Sequence, residues 1–173
     1  LLAARGHLLC ELEQYDEAVK TYSRLLEVAS GHTASVYNLA VCLEKLGRWE
    51  QAAERFAEAF QLDSERVDAK LGLGICQLHL EKPEPALAAF DEYLRAKPTD
   101  ETALFGKAVA LQLLWRFDEA AALYQDALTR NPKSEEALTN LLAIALTRKD
   151  DEAVHRFADQ LLSFRPYSQA AME

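Results

Sequence analysis

A chain of 173 residues has the length of one average domain. Half of it is hydrophobic, three cysteines are present, and 19 basic against 28 acidic side chains leave a formal charge of −9. This composition excludes a disordered chain, a disulfide-stapled scaffold and a nucleic-acid binder, which needs a surplus of Lys and Arg. With 6 Gly and 5 Pro it also excludes a sandwich or barrel that turns about every 10 residues.

At the N-terminus no basic stretch leads into an apolar core, so no signal peptide is visible. No apolar run reaches the ~18 residues of a membrane span. The first residue is Leu1 rather than Met, and the true N-terminus is expected upstream of it. Cys10, Cys42 and Cys76 form no CxxC pair and read as reduced, buried small residues, as expected of a cytoplasmic chain.

Along the chain one alanine returns at a fixed interval: Ala18, Ala52, Ala86 and Ala120 are 34 apart, and Ala153 follows after 33. Four residues after each comes an aromatic: Tyr22, Phe56, Phe90, Tyr124 and Phe157. Chance would give this with odds on the order of 1 in 30,000, so the period is real. Tyr15, Trp49 and Phe117 share a second column, broken by Pro83. Pro98, Pro132 and Pro166 share a third, and Gly6, Ala40, Gly74 and Ala108 a fourth.

The period predicts a truncated first repeat over 1–32, full repeats over 33–66, 67–100, 101–134 and 135–168, and the start of a sixth over 169–173, all one domain. Each repeat reads as two helices. In the second they are predicted over Ala34–Leu46 and Trp49–Gln61, with apolar residues at three- and four-residue spacing and Gly47 as a stop between them. Asp16–Glu17, Asp118–Glu119 and Asp151–Glu152 fall at second-helix starts, where negative charge suits the helix dipole. Pro83 falls in a first turn, where its missing N–H costs little. The fifth repeat has lost one residue near Asp150–Asp151 and regained one before Pro166. One such helix pair has apolar residues on too many sides to bury alone, so successive pairs must stack.

The period, the Ala and aromatic columns, and runs such as Tyr37-Asn38-Leu39-Ala40 and Gly47-Arg48-Trp49 resemble the tetratricopeptide repeat (TPR) family. The resemblance implies an all-α fold, a right-handed superhelical solenoid of stacked antiparallel helix pairs. It also implies a concave groove lined by first helices, a non-catalytic role and a protein or peptide partner. A common specialisation of the family clamps a C-terminal carboxylate with Lys, Asn and Arg. Here the first such window holds Ala3, His7, Asn38, Asp68 and Gly72, so only Asn38 fits and a clamp is not expected.

The groove places otherwise hold Tyr37, Val41, Leu71, Ile75, Leu78, Phe105, Val109, Leu113, Ala143 and Leu146. Gly72 and Gly106 lie among them. Glycine inside a helix costs about 1 kcal/mol against alanine, so two at equivalent places point to a need for space. The expectation is an apolar trough with its floor at Gly72 and Gly106 and its walls at Leu71, Ile75, Phe105 and Val109. Tyr37, Asn38 and Val41 extend it. The bland alternative packs these side chains against one another as core.

No cofactor or metal is expected. His7 and Cys10 share a helix face but lack further ligands. Gly72-Leu73-Gly74 is a GxG inside a helix, not a phosphate loop. Negative charge is spread over all repeats, which argues against an RNA-reading helical repeat. Two functions remain: a module that binds a peptide or helix in the groove, or a segment of a longer array that self-associates through uncapped ends. The latter expects Leu161, Leu162 and Phe164 to be partly uncovered. An accessory domain of an enzyme is neither favoured nor disfavoured.

Overall fold

The structure is a computed structural model that describes residues 1–164. Pro166 and the expected sixth repeat lie outside the described residues. Among those described there are ten helices and no strand. They are α1 Leu2–Glu11, α2 Tyr15–Val28, α3 Thr33–Lys45, α4 Trp49–Leu62, α5 Asp68–His79, α6 Pro83–Ala96, α7 Glu101–Leu113, α8 Phe117–Arg130, α9 Glu135–Arg148 and α10 Asp151–Phe164. The fold is all-α, a helical-repeat array.

Local chemistry sets the boundaries. Pro83 opens α6, where a residue without an N–H leaves no hydrogen bond unmade. The His32 imidazole, the Asp100 carboxylate, the Ser134 hydroxyl and the Asp150 carboxylate each accept a backbone N–H three residues on, at the starts of α3, α7, α9 and α10. α10 starts 34 residues after α8, yet its alanine comes one residue early. The missing residue is therefore in the first turn of α10.

The turn inside each helix pair has one recurring conformation. Glu13, Gly47, Glu81, Trp115 and Lys149 are 34 apart, and all have positive φ, from +56° to +68°. Only Gly47 has the residue type suited to this left-handed geometry. The other four show that tertiary packing imposes the turn.

The chain divides into two compact units, Leu1–Gly106 and a second that begins at Lys107. In the first unit each helix from α1 to α6 packs on the next, and the first helices α1, α3 and α5 also touch in sequence. Its core holds Tyr22, Val36, Leu39, Leu43, Phe56, Cys42 and Cys76, tied together by small Ala18, Ala40, Ala52, Ala59 and Ala69. In the second unit α9 packs on α8 and α10. Leu138, Leu141, Leu142, Ile144, Tyr124 and Leu161 are buried there.

The aromatic column is the seam of the first unit. Tyr22, Phe56 and Phe90 are at most 1% exposed. A Cβ added to Gly74 would lie 2.8 Å from Phe90 Cε1, and one on Gly106 would meet the same atom at 2.8 Å. One ring thus fills the space between the first helix of its own repeat and that of the next. Phe56 does the same to Gly72, whose added Cβ would lie 2.6 Å from both Cε atoms, and Tyr22 abuts Gly6.

The ring type is matched to its neighbour. Tyr22 precedes Asn38, and the Asn38 amide donates to the Tyr22 hydroxyl at 3.2 Å. Phe56 and Phe90, which lack a hydroxyl, precede Gly72 and Gly106 in the same column. The sequence repeats the Tyr–Asn pairing at Tyr124 and Asn140. There the Tyr124 hydroxyl donates to Gln112 at 3.0 Å, and Asn140 donates to the Glu136 carbonyl at 2.9 Å.

Alanine at position 72 is therefore predicted to destabilise, against its helix propensity. Propensity alone would stabilise by about 1 kcal/mol, but forcing a methyl into a closed ring contact costs about 1–3 kcal/mol. G72A should lower the urea midpoint, whereas G31A, with no atom within 4 Å of its Cβ, should leave it almost unchanged. A G72A protein at least as stable as the parent would contradict the wedge.

Candidate functional site

The expected groove residues of the first unit lie on α3, α5 and the start of α7. Tyr37, Val41 and Glu44 follow at i, i+4 and i+7 on one face of α3, and Leu71, Ile75 and Leu78 do so on α5. All six side chains, and Phe105, are half-buried, while Val36, Leu39, Leu43, Ala69 and Cys76 on the same helices are buried. Because α3 and α5 touch, the Tyr37 and Leu71 rows belong to neighbouring helices. Val109 is half-buried and lies in the second unit, as does Ala143, with Leu113 and Leu146 exposed.

Three of the expected residues have other tasks. Gly72 is buried and Gly106 half-buried, and the space they make is filled by the rings of Phe56 and Phe90. The expected open floor is therefore an aromatic ring from the preceding second helix. Asn38 spends its amide on Tyr22.

Two residues at the groove carry signals that the sequence alone did not single out. The Arg66 guanidinium lies 5.0 Å over the Tyr37 ring, which also meets Phe56 edge-on at 5.7 Å. Both contacts hold Tyr37 in place. Glu44 is half-buried, and burial raises its carboxyl above the ordinary carboxylate value, with Lys45 and His79 opposing. Its place three residues after Val41 was the available clue. His79, in turn, lies flat on Trp49, with ring centroids 3.7 Å apart and planes 5° from parallel.

The thiols depart from expectation in one respect. Cys42 and Cys76 are buried, but Cys10 is only half-buried. Leu161 also departs: expected to be uncovered, it is 0% exposed, because α10 packs on α9 and turns this side chain inward. Leu162 is half-buried, and the Phe164 side chain lies outside the described residues. No three His, Cys, Asp or Glu among the described residues form a metal-binding group, and no helix there is long and apolar enough to cross a membrane.

Comparison with known proteins places the fold. Two family models, both described as tetratricopeptide repeat, match residues 1–65 and 43–101, which together cover 101 of 173 residues. The chain belongs to the tetratricopeptide repeat family. A further model, described as coatomer epsilon subunit, matches residues 86–171. Among curated protein sequences none matches.

Solved TPR structures align over almost the whole chain. YrrB, crystallised as a TPR protein with an unusual peptide-binding site, is 20% identical with a TM-score of 0.87, over 96% of this chain and 86% of its own. MamA from Desulfovibrio magneticus RS-1 is 16% identical with a TM-score of 0.86, over 98% and 96%. PilF of Pseudomonas aeruginosa is 22% identical with a TM-score of 0.77, over 99% and 78%. At these identities the likeness is one of fold. TPR proteins are generally non-catalytic scaffolds, and the TPR fold supports protein–protein interaction.

Glu44 generates a pH prediction. Its folded pKa is raised above the ordinary value, so the folded state holds more protons than the unfolded state between the two values. Stability therefore falls as pH rises through that window and stays lower above it. E44Q should melt at a higher temperature than the parent at about pH 7, and the gap should close below about pH 4, where both side chains are neutral. A gap that is the same at both pH values would contradict this.

Proposed function

We propose that the chain is a non-catalytic interaction module that takes an apolar peptide or amphipathic helix of a partner protein along the first helices of the first unit. The anchoring surface consists of Tyr37, Val41, Leu71, Ile75 and Phe105, with Asn38, Gly72 and Gly106 setting the backbone beneath. The observation that carries this reading is partial exposure: these apolar side chains are half-buried where a core would bury them. Apolar surface of this kind, held on rigid helices, suits anchor residues of a docked segment. That YrrB carries a peptide-binding site on the same fold supports the reading.

The alternative is an assembly segment of a longer array, and one observation favours it. Leu8 on α1 and Leu12 just past its end are 54% and 58% exposed. One repeat later, Cys42 is buried and Leu46 half-buried. An uncovered apolar face of this kind suits a further helix or a second copy.

Peptides selected from a random displayed library, measured by fluorescence polarisation, test the first reading. L71E and F105E should each weaken the selected peptides at least about tenfold, as loss of a hot spot does. Circular dichroism should show helicity retained. Unchanged affinity, or a library that yields no binder, would overturn it. Light scattering on the same samples separates the readings, since a mass that rises with concentration supports assembly through α1.

A further inference from the structure

The helices α1 and α3 bring two thiols together. Cys10 Sγ and Cys42 Sγ lie 2.9 Å apart, and both cysteines are free. Cys42 is fully buried and Cys10 half-buried, so Cys10 is the more accessible residue of the pair. This is the junction between the first helices of the first two repeats, and α2 lies wholly within the chain between the two cysteines.

The next junction shows that the pairing is specific. The residues 34 on from Cys10 and Cys42 are Glu44 and Cys76. There a carboxylate takes the place of the first thiol. Burial, then the Glu44 charge, pushes the Cys76 thiol up to about 12. Burial raises the Cys42 thiol as well, so Cys76 serves as an internal control that differs in one respect: Glu44 stands where Cys42 has Cys10.

We propose that Cys10 and Cys42 are a dithiol–disulfide modification site, oxidised by a small-molecule disulfide such as glutathione disulfide. In the first step the Cys10 thiolate attacks one oxidant sulfur. The oxidant S–S bond breaks, a small thiol leaves with a proton, and Cys10 carries a mixed disulfide. In the second step Cys42 gives up its proton and attacks the Cys10 sulfur, expelling the second small thiol. Two protein thiols lose two electrons and two protons, and one oxidant disulfide becomes two thiols. Closing 2.9 Å to an S–S bond of about 2.04 Å moves the sulfurs by less than about 1 Å. The crosslink ties α1 to α3 and restrains local opening of that junction.

The test treats the reduced full chain with glutathione disulfide. Intact mass should fall by two hydrogens, and on unfolding without reductant one alkylatable thiol of three should remain, at Cys76. Peptide mapping should find Cys10 joined to Cys42, and amide exchange in α1 should slow until reductant is added. C76S should keep the crosslink, and C10S and C42S should lose it. Because Cys42 is fully buried, C10S serves where C42S fails to fold. Three thiols alkylated once the treated protein is unfolded, a glutathione adduct at Cys10 without a crosslink, or a crosslink to Cys76 would overturn the proposal.

Discussion

Phe90 sits with its ring against Gly74 of its own repeat and Gly106 of the next, and that double contact binds successive repeats. A lone helix pair of this composition cannot bury its apolar faces. The ring closes the gap by facing two helix backbones at once, and it reaches them because neither presents a side chain. Burying such a ring contributes about 1.5–3 kcal/mol by area alone, and truncating one to alanine costs about 3–5 kcal/mol. The polar network adapts to the same seam. Where the ring is Tyr22, Asn38 meets its hydroxyl; where it is Phe56 or Phe90, glycine stands in that column.

This packing also explains what the groove can offer. The buried face of α3 and α5 is used up by rings and small residues, so the side chains one step around the helix remain half-buried. Tyr37 is steadied by Phe56 and Arg66, and a rigid aromatic loses little freedom when a partner docks. Glu44 lies in the same row as Tyr37 and Val41, where burial already disfavours its charge.

The helix pairs were legible from the period because the columns of Ala18 and Tyr22 mark one face of each second helix. The second repeat's helices, predicted over Ala34–Leu46 and Trp49–Gln61, are found over Thr33–Lys45 and Trp49–Leu62. The left-handed turns at Glu13, Glu81, Trp115 and Lys149 were not legible, since only Gly47 has the matching residue type. The glycines were half legible. Their need for space was visible, but not that a ring from the preceding helix fills it. Cys10 and Cys42 occupy different columns of the repeat, so only the packing of α1 on α3 reveals that they meet. Leu161 was misjudged because periodicity does not tell which neighbour covers a face.

The most direct measurement of the ring-to-helix coupling is a double-mutant cycle on Tyr22 and Asn38, followed by urea unfolding. Y22F leaves the Asn38 amide without its acceptor, and N38G removes the donor at a helix-propensity cost. The double variant recreates the Phe–Gly pairing already present at Phe56 and Gly72. If ring and column are matched, the double variant should be more stable than the sum of the singles by about 0.5–3 kcal/mol. Singles that add to within about 0.3 kcal/mol would show that the two positions are independent and would contradict the seam as the link between repeats.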